Sequence, residues 1–430
     1  MKRKRLLCLL LVSIMLFGSF SVNAAKYSKK TKELTSTIKV KRAKGKKMKS
    51  GDVEMLTSAS LNLLNSTIQG DKENENVLIS PASIMFAFGL AENGAKGSSR
   101  TQIENVIYGG MKTADTNNVL AKQMKTMESD KKIKWNVANS IWIRDRKDVK
   151  VKKKFLKTAV SYYDAEVFKA PFDNSTVKDI NKWVKKNTHK MIPKLINRLD
   201  DEAVMCLLNA VAFEGSWNEC FTKNHIKKNR DFTNVDGTTT KVTMMTGEVP
   251  GYFTLNDAKG FKKFYQGCKY AFVGIEMPEG VKPAEYIAKL NENPSDFTKA
   301  LSDMKTDQDV FITIPEYTID YDVEMTDVLK SMGVTDAFDP DKANLYNMFK
   351  KDNKGNYYFS TVLHKTHIEV DKNGTKAAAA TAIITDKATS VEDKKPSLEI
   401  KLDHPFVYAI IDTKTNLPLF IGCVNKLDQP

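Results

Sequence analysis

Val204-Met-Cys-Leu-Leu-Asn-Ala-Val-Ala-Phe213 is the stretch whose reading decides the fold. The run is apolar throughout, interrupted only by Asn209. Such a run suits a strand buried on both faces. An amide in that setting is costly unless it is hydrogen-bonded, so Asn209 implies polar partners inside the core.

Working outward, further strands are expected over residues 135–144, 272–277, 310–317, 362–370, 398–402, 406–412 and 419–424, and Asp236-Gly237 marks a hairpin turn. Helices are expected over 52–69, with Leu56, Leu61, Leu63, Leu64 and Ile68 as its apolar set, and over 155–163, 177–186 and 325–332. Ser80-Pro81 opens another helix: Ser80 can cap, Pro81 suits the first turn, and residues 84–91 are apolar all round, which marks a buried helix. Gly94 and Gly97 end it. Most helices come early and most strands late, which favours an α+β fold over a doubly wound sheet.

Residues 1–25 read as an export signal. Lys2, Arg3, Lys4 and Arg5 form a basic start, residues 6–20 an apolar stretch, and Val22-Asn23-Ala24 a cleavage site, with Ala25 as the alternative cut. The apolar stretch is short for a membrane span, and no later run of about 18 apolar residues occurs. The mature protein is therefore expected to be secreted and not membrane-spanning. The formal charge of +15 is concentrated in residues 1–50, which hold fifteen Lys or Arg against Glu33, a net of +14. The remaining chain is near neutral, so a nucleic-acid-binding surface is not expected. The basic tail, residues 26–50, is expected to be disordered, with tethering to an anionic cell surface through Lys26 to Lys49 as its functional reading. Residues 51–430 are expected to form one domain.

Cys206, Cys220, Cys268 and Cys423 match neither a zinc pattern nor a compact disulfide framework and are expected to be buried free thiols. His364 and His367 lie three apart on an expected strand and point to opposite faces, so they cannot share a metal. No His-Glu-x-x-His, Gly-x-Ser-x-Gly or phosphate-cradling glycine loop is found. No cofactor, metal or catalytic function is expected.

One segment stands apart. Gly374-Thr-Lys-Ala-Ala-Ala-Ala-Thr-Ala-Ile-Ile-Thr385 puts Thr375, Ala377, Ala379, Thr381, Ile383 and Thr385 on one parity, uncharged and mostly small. Lys376 and Asp386 fall on the other parity. Such a segment is able to be an exposed loop in one state and a buried strand in another.

Six blocks of the chain, in order from about residue 52 to 430, resemble the serpins, suicide inhibitors of serine and some cysteine proteases. They are Asn76-Val-Leu-Ile-Ser-Pro-Ala-Ser-Ile84 with Gly94-Ala-Lys-Gly97; Asn209-Ala-Val-Ala-Phe-Glu-Gly-Ser-Trp217; Phe232, Asp236-Gly237 and Val242-Thr-Met-Met245; His364-Lys-Thr-His-Ile-Glu-Val370; His404-Pro-Phe406; and Leu419-Phe-Ile-Gly422. The resemblance implies three β-sheets, eight or nine helices and an exposed reactive-centre loop, here about residues 371–397, in a monomer. It also implies a mechanism: a protease cuts the loop, and the freed part inserts into the main sheet as a new strand.

By the same resemblance, Ser80, Ser83, Asn209 and His364 match the polar cluster where the sheet parts, and Trp217 the position where the loop first inserts. Gly374 and Thr375 match the hinge, and Ala377, Ala378, Ala379, Ala380 and Thr381 belong to the inserting run of inhibitory members. Lys372 and Lys376 stand where such members usually carry Glu. Asn373-Gly374-Thr375 is also a glycosylation sequon. The family's spacing from Gly374 implies a reactive bond at Ala388-Thr389; a shift of one gives Lys387-Ala388, and counting back from His404-Pro405 reaches about Lys394. Ala388 would suit an elastase- or subtilisin-like protease, Lys387 a trypsin-like one. The alternatives are a non-inhibitory serpin serving as a binding or storage module, and a surface-attached protein using the basic tail.

Overall fold

The apolar run becomes the middle of a seven-stranded sheet. A computed structural model of the protein describes residues 27–69, 73–147, 149–350, 357–375 and 398–428. The strands of this main sheet are, in spatial order, β1 (Lys32–Glu33), β4 (Glu166–Ala170), β3 (Ile133–Arg144), β5 (Met205–Ser216), β14 (Gly374–Thr375), β13 (Thr361–Asp371) and β12 (Tyr317–Glu324). A second sheet of six runs β2 (Val77–Ile79), β17 (Pro418–Val424), β16 (Phe406–Asp412), β10 (Tyr270–Glu276), β9 (Ala258–Phe264) and β8 (Phe253–Leu255). A third of four runs β15 (Glu399–Lys401), β11 (Val310–Pro315), β7 (Thr239–Val249) and β6 (Ile226–Thr233).

Nine α-helices complete the described residues: α1 (Ser50–Ile68), α2 (Pro81–Gly94), α3 (Ser98–Tyr108), α4 (Thr113–Glu128), α5 (Lys153–Tyr163), α6 (Asn174–Asn187), α7 (Pro283–Glu292), α8 (Ser295–Ser302) and α9 (Met325–Ser331). The fold is α+β with three sheets, as the resemblance implied. The apolar positions explain the layering. On one face of the main sheet, Leu207, Val211 and Phe213 of β5 join a core shared with the second sheet and with buried α2. On the other face, Cys206, Leu208 and Ala210 pack under Ile180, Trp183 and Val184 of α6. The central strand is thus buried twice over, which is why its run carries no charge. The expected cap of α2 is present, with Ser80 Oγ accepting from the Ser83 N–H at 3.3 Å. Gly237 (φ +82°) makes the turn between β6 and β7.

Two expectations about secondary structure and order need correction. The strand expected over 310–317 is two strands that belong to different sheets and break at Glu316. The part from Tyr317 to Glu324 alternates buried and exposed residues without fault. The expected disorder of the basic tail is overturned for residues 27–49, which run along the body as a strap. β1 pairs antiparallel with β4. The buried Asp179 of α6 accepts from the Ser28 N–H (2.9 Å) and the Thr31 hydroxyl (2.7 Å). Tyr27 meets Trp142 and Phe168 edge-on. Arg42 pairs with Glu128 (3.0 Å) and Asp164 (2.7 Å). Backbone bonding to a sheet edge leaves no trace in periodicity or composition, and so the strap read as a solvated tail.

The thiols are only partly as expected. All four described cysteines are free, but Cys268 is exposed at a turn and Cys220 is half-buried. Cys206 and Cys423 are buried, and burial pushes both thiols up to about 12. The export signal lies outside the described residues.

Candidate functional site

The main sheet has a seam between β5 and β13. Through most of its length the two strands pair directly and in parallel, from Thr361↔Cys206 to His367↔Ala212. At its upper end a third strand stands between them. β14 pairs antiparallel with both neighbours, Gly374 opposite Ser216 and Thr375 opposite Gly215 on one side, Thr375 opposite Val370 and Gly374 opposite Asp371 on the other. The chain folds back at Lys372 and Asn373, where Asp371 Oδ1 accepts from the N–H groups of Asn373 (2.7 Å) and Gly374 (2.9 Å).

This wedge is tightly seated. A Cβ on Gly374 would lie 2.1 Å from the Gly215 carbonyl oxygen, so glycine alone fits. The Thr375 side chain is fully buried, its hydroxyl 2.6 Å from Tyr265 Oη. Trp217 stacks on Tyr265 with ring centroids 4.6 Å apart and donates from Nε1 to the Asp371 carbonyl at 2.9 Å. The backbone N–H groups of Trp217 and Phe221 donate to Asn373 O (2.8 Å) and Lys372 O (3.0 Å). Lys263 closes the edge over the Phe221 ring at 4.2 Å and donates to Glu219 O at 2.9 Å; burial pulls its ammonium down to about 8.

Lower down, the seam is closed by side chains. Asn209 and His364 are register partners across β5 and β13, and His364 Nδ1 lies 2.5 Å from Asn209 Oδ1. Ser80 N–H donates to His364 Nε2 at 3.1 Å, so Nε2 is the acceptor and Nδ1 carries the proton given to Asn209. Burial holds His364 down to about 3, so it is neutral. Asn209 Nδ2 faces Ser83 Oγ (2.6 Å), Ser83 O (3.0 Å) and Asn139 Oδ1 (2.7 Å), and Ser80 Oγ donates to Leu419 O at 2.7 Å. The network is neutral and buried, and it links β3, β5, β13 and β17 to the cap of α2.

The sequence pattern of the serpins, described as serine protease inhibitor, matches residues 54–427. The chain belongs to the serpin family. It is 31% identical over 378 residues to Iripin-1 of Ixodes ricinus, covering 85% of this chain and 92% of that one. It is 29% identical over 391 residues to neuroserpin of Mus musculus, covering 86% and 90%. The crystal structure of a thermophilic serpin, Tengpin, in the native state is 37% identical and superposes with a TM-score of 0.84, covering 93% of this chain and all of that one.

In this serpin the structure brings together Ser80, Ser83, Asn209 and His364, and it sets Trp217, Gly374 and Thr375 together 
at the upper end of the seam. The expected loop from about 371 begins later than expected: Asp371 ends β13, and Gly374–Thr375 is already a buried strand. Ala377, Ala378, Ala379, Ala380, Thr381, Lys387, Ala388 and Thr389 lie outside the described residues. Sequence reasoning missed Asn139, which faces Asn209 in register on β3, and Tyr265, which receives Thr375. An amide within the expected strand over 135–144 was the available signal for Asn139. Nothing local marks Tyr265. His364 and His367 do take opposite faces, the latter 2.7 Å from Asp320 Oδ1. Among the described residues no three His, Cys, Asp or Glu gather as a metal site, and no helix is long and apolar enough to cross a membrane.

Proposed function

We propose that the protein is a secreted inhibitor that traps a serine endopeptidase as a covalent acyl complex. The protease's nucleophile attacks the carbonyl of Ala388, or of Lys387 if the cut lies one residue earlier. The bond to the next residue breaks, its amine leaves with a proton, and the acyl-enzyme forms. Residues 374–386 then insert into the seam and carry the bound protease with them, distorting its active site before water releases it. The inhibitor contributes no catalytic group. The uncut form is held by a kinetic barrier rather than by being the most stable arrangement.

The observation that carries this reading is the wedge: the first two residues of the inserting segment are already paired with β5 and β13. Continued in the same register, the segment would place Thr375, Ala377, Ala379 and Thr381 on one parity, so small residues would meet the core. Thr381 would then fall opposite both Asn209 and His364. An inserted strand would move β5 and β13 from one strand spacing to two, roughly 4.8 to 9.6 Å. The Asn209–His364 bond would break, and a threonine hydroxyl can both donate and accept at that point.

Incubation with elastase-, subtilisin- and trypsin-like proteases tests the proposal. The expected result is a complex that survives SDS, with mass spectrometry of the released peptide giving the cut at Ala388-Thr389 or Lys387-Ala388. Cleavage without complex by every enzyme would favour a non-inhibitory member of the family. Association with an anionic cell surface through the strap is a separate reading, carried by its exposed lysines. Deleting residues 26–49 and measuring release from cells decides it.

A further inference from the structure

A cavity of about 300 Å³ opens on the side of the molecule where the strap ends, between α4 and the second sheet. Its walls divide by chemistry. Met48, Val119, Met127, Tyr270 and Leu419 give it an apolar interior. Lys46, Lys47, Lys122 and Lys414 ring it with positive charge. None of these four ammonium groups has an acidic partner among the described residues. The one acid in the lining, Asp412, accepts at Oδ1 from the N–H groups of Lys414 (2.9 Å) and Thr415 (3.2 Å), and against the four lysines it leaves the ring net positive.

The wall made by the strap is fixed. Lys46 N–H donates to Asn118 O at 2.9 Å. Gly45 (φ +67°) approaches α4 so closely that a Cβ would lie 2.4 Å from Asn118 O and Lys122 N. Lys46, Lys47 and Met48 are therefore presented by a backbone anchored against α4, which favours preorganisation of the cavity wall.

We propose that this cavity binds a medium-chain carboxylate, with its alkyl body against Val119, Met127 and Leu419 and its carboxylate among the lysines. A wholly polar anion would leave the interior unused, and an uncharged apolar molecule would leave the ring of lysines uncompensated. The volume lies at the lower end of the range for small-molecule pockets, about 300 to 1,000 Å³, which suits a single short chain and no polymer.

Titration calorimetry on the mature chain with hexanoate, octanoate and 1-octanol tests this. Octanoate binds saturably, tighter than hexanoate by roughly tenfold for two added methylenes. It also binds tighter than 1-octanol by about tenfold, and that gap narrows in about 0.5 M salt. Lys47→Glu with Lys414→Glu, both exposed, weakens octanoate by about tenfold and leaves 1-octanol unchanged. Val119→Trp, checked for an intact melting transition, abolishes both. Absence of saturable heat, equal affinity for octanoate and 1-octanol, or undiminished octanoate binding in either variant overturns the proposal. The assay contains no protease, so its outcome stands apart from the trapping mechanism.

Discussion

The two ends of the β5–β13 seam are held in opposite ways. At the top the strands are already parted, and the space is filled by Gly374 and Thr375, held through backbone bonds to both neighbours. At the middle the strands still touch, and a side-chain bond between Asn209 and His364 spans them. If the wedge advanced by one residue as proposed, a β5–β13 backbone pairing would break and new pairings would form on both sides, exchanging parallel for the slightly stronger antiparallel kind. On the proposed insertion, backbone pairing alone would favour each step. The opposing contribution is concentrated at the polar cluster, where a specific bond has to be given up. On the proposed mechanism, the top of the seam would be the start and the middle the gate.

The largest expected effect tests the start. Thr375→Arg puts a charge into the buried site beside Tyr265, which costs several kcal/mol if the charge goes unpaired. The expected outcome on SDS gels is loss of covalent complex with cleavage intact. Continued complex formation would show that the wedge is not where insertion begins.

Next comes the gate. Asn209→Ala strands the His364 Nδ1–H and removes the bonds to Ser83 and Asn139, for a destabilisation of about 2–4 kcal/mol in urea unfolding of the uncut protein. Spontaneous conversion to the inserted form on warming should accelerate as well, because the bond that resists opening is gone. A variant that melts earlier without converting faster would make Asn209 a stability residue alone.

The same cluster sets a pH dependence. His364 has its pKa depressed from the ordinary histidine value near 6.5 to about 3 in the folded protein. Between those values the unfolded chain binds the extra proton, so stability falls as pH falls from about 6.5 towards 3, by up to about 1.4 kcal/mol per pH unit from this group. Comparison of wild type with His364→Gln in urea titrations over that range isolates the contribution; identical slopes would contradict it. The smallest effect belongs to Thr381→Val. If its hydroxyl bridges Asn209 and His364 after insertion, the cut form loses about 1–2 kcal/mol and the uncut form nothing. An equal loss in both forms would place Thr381 elsewhere.

The two ends of the seam also differ in how legible they were. Asn209 was readable because an amide in an apolar run has to have a partner, and Ser80 because its cap chemistry is local. The strand from Tyr317 to Glu324 has an alternation that could have been read in full, yet the apolar run of β11 before it hid the break at Glu316. The segment's capacity to become a buried strand was readable from its parity, but its pairing in the uncut protein was not. Gly374 and Thr375 are a strand only because β5 and β13 diverge around them, and the pocket that receives Thr375 is built by Tyr265, just past the end of β9 and far away in sequence. The strap followed the same rule: its order depends on β4 and Asp179, far away in sequence.

The most direct measurement is the melting temperature of the protein before and after its loop is cut once. If the seam is poised to open, the cut form completes the sheet and unfolds at a much higher temperature than the intact form. If the cut form melts at the same temperature or lower, the segment has not inserted, and the wedge at Gly374 and Thr375 is a static feature of the fold.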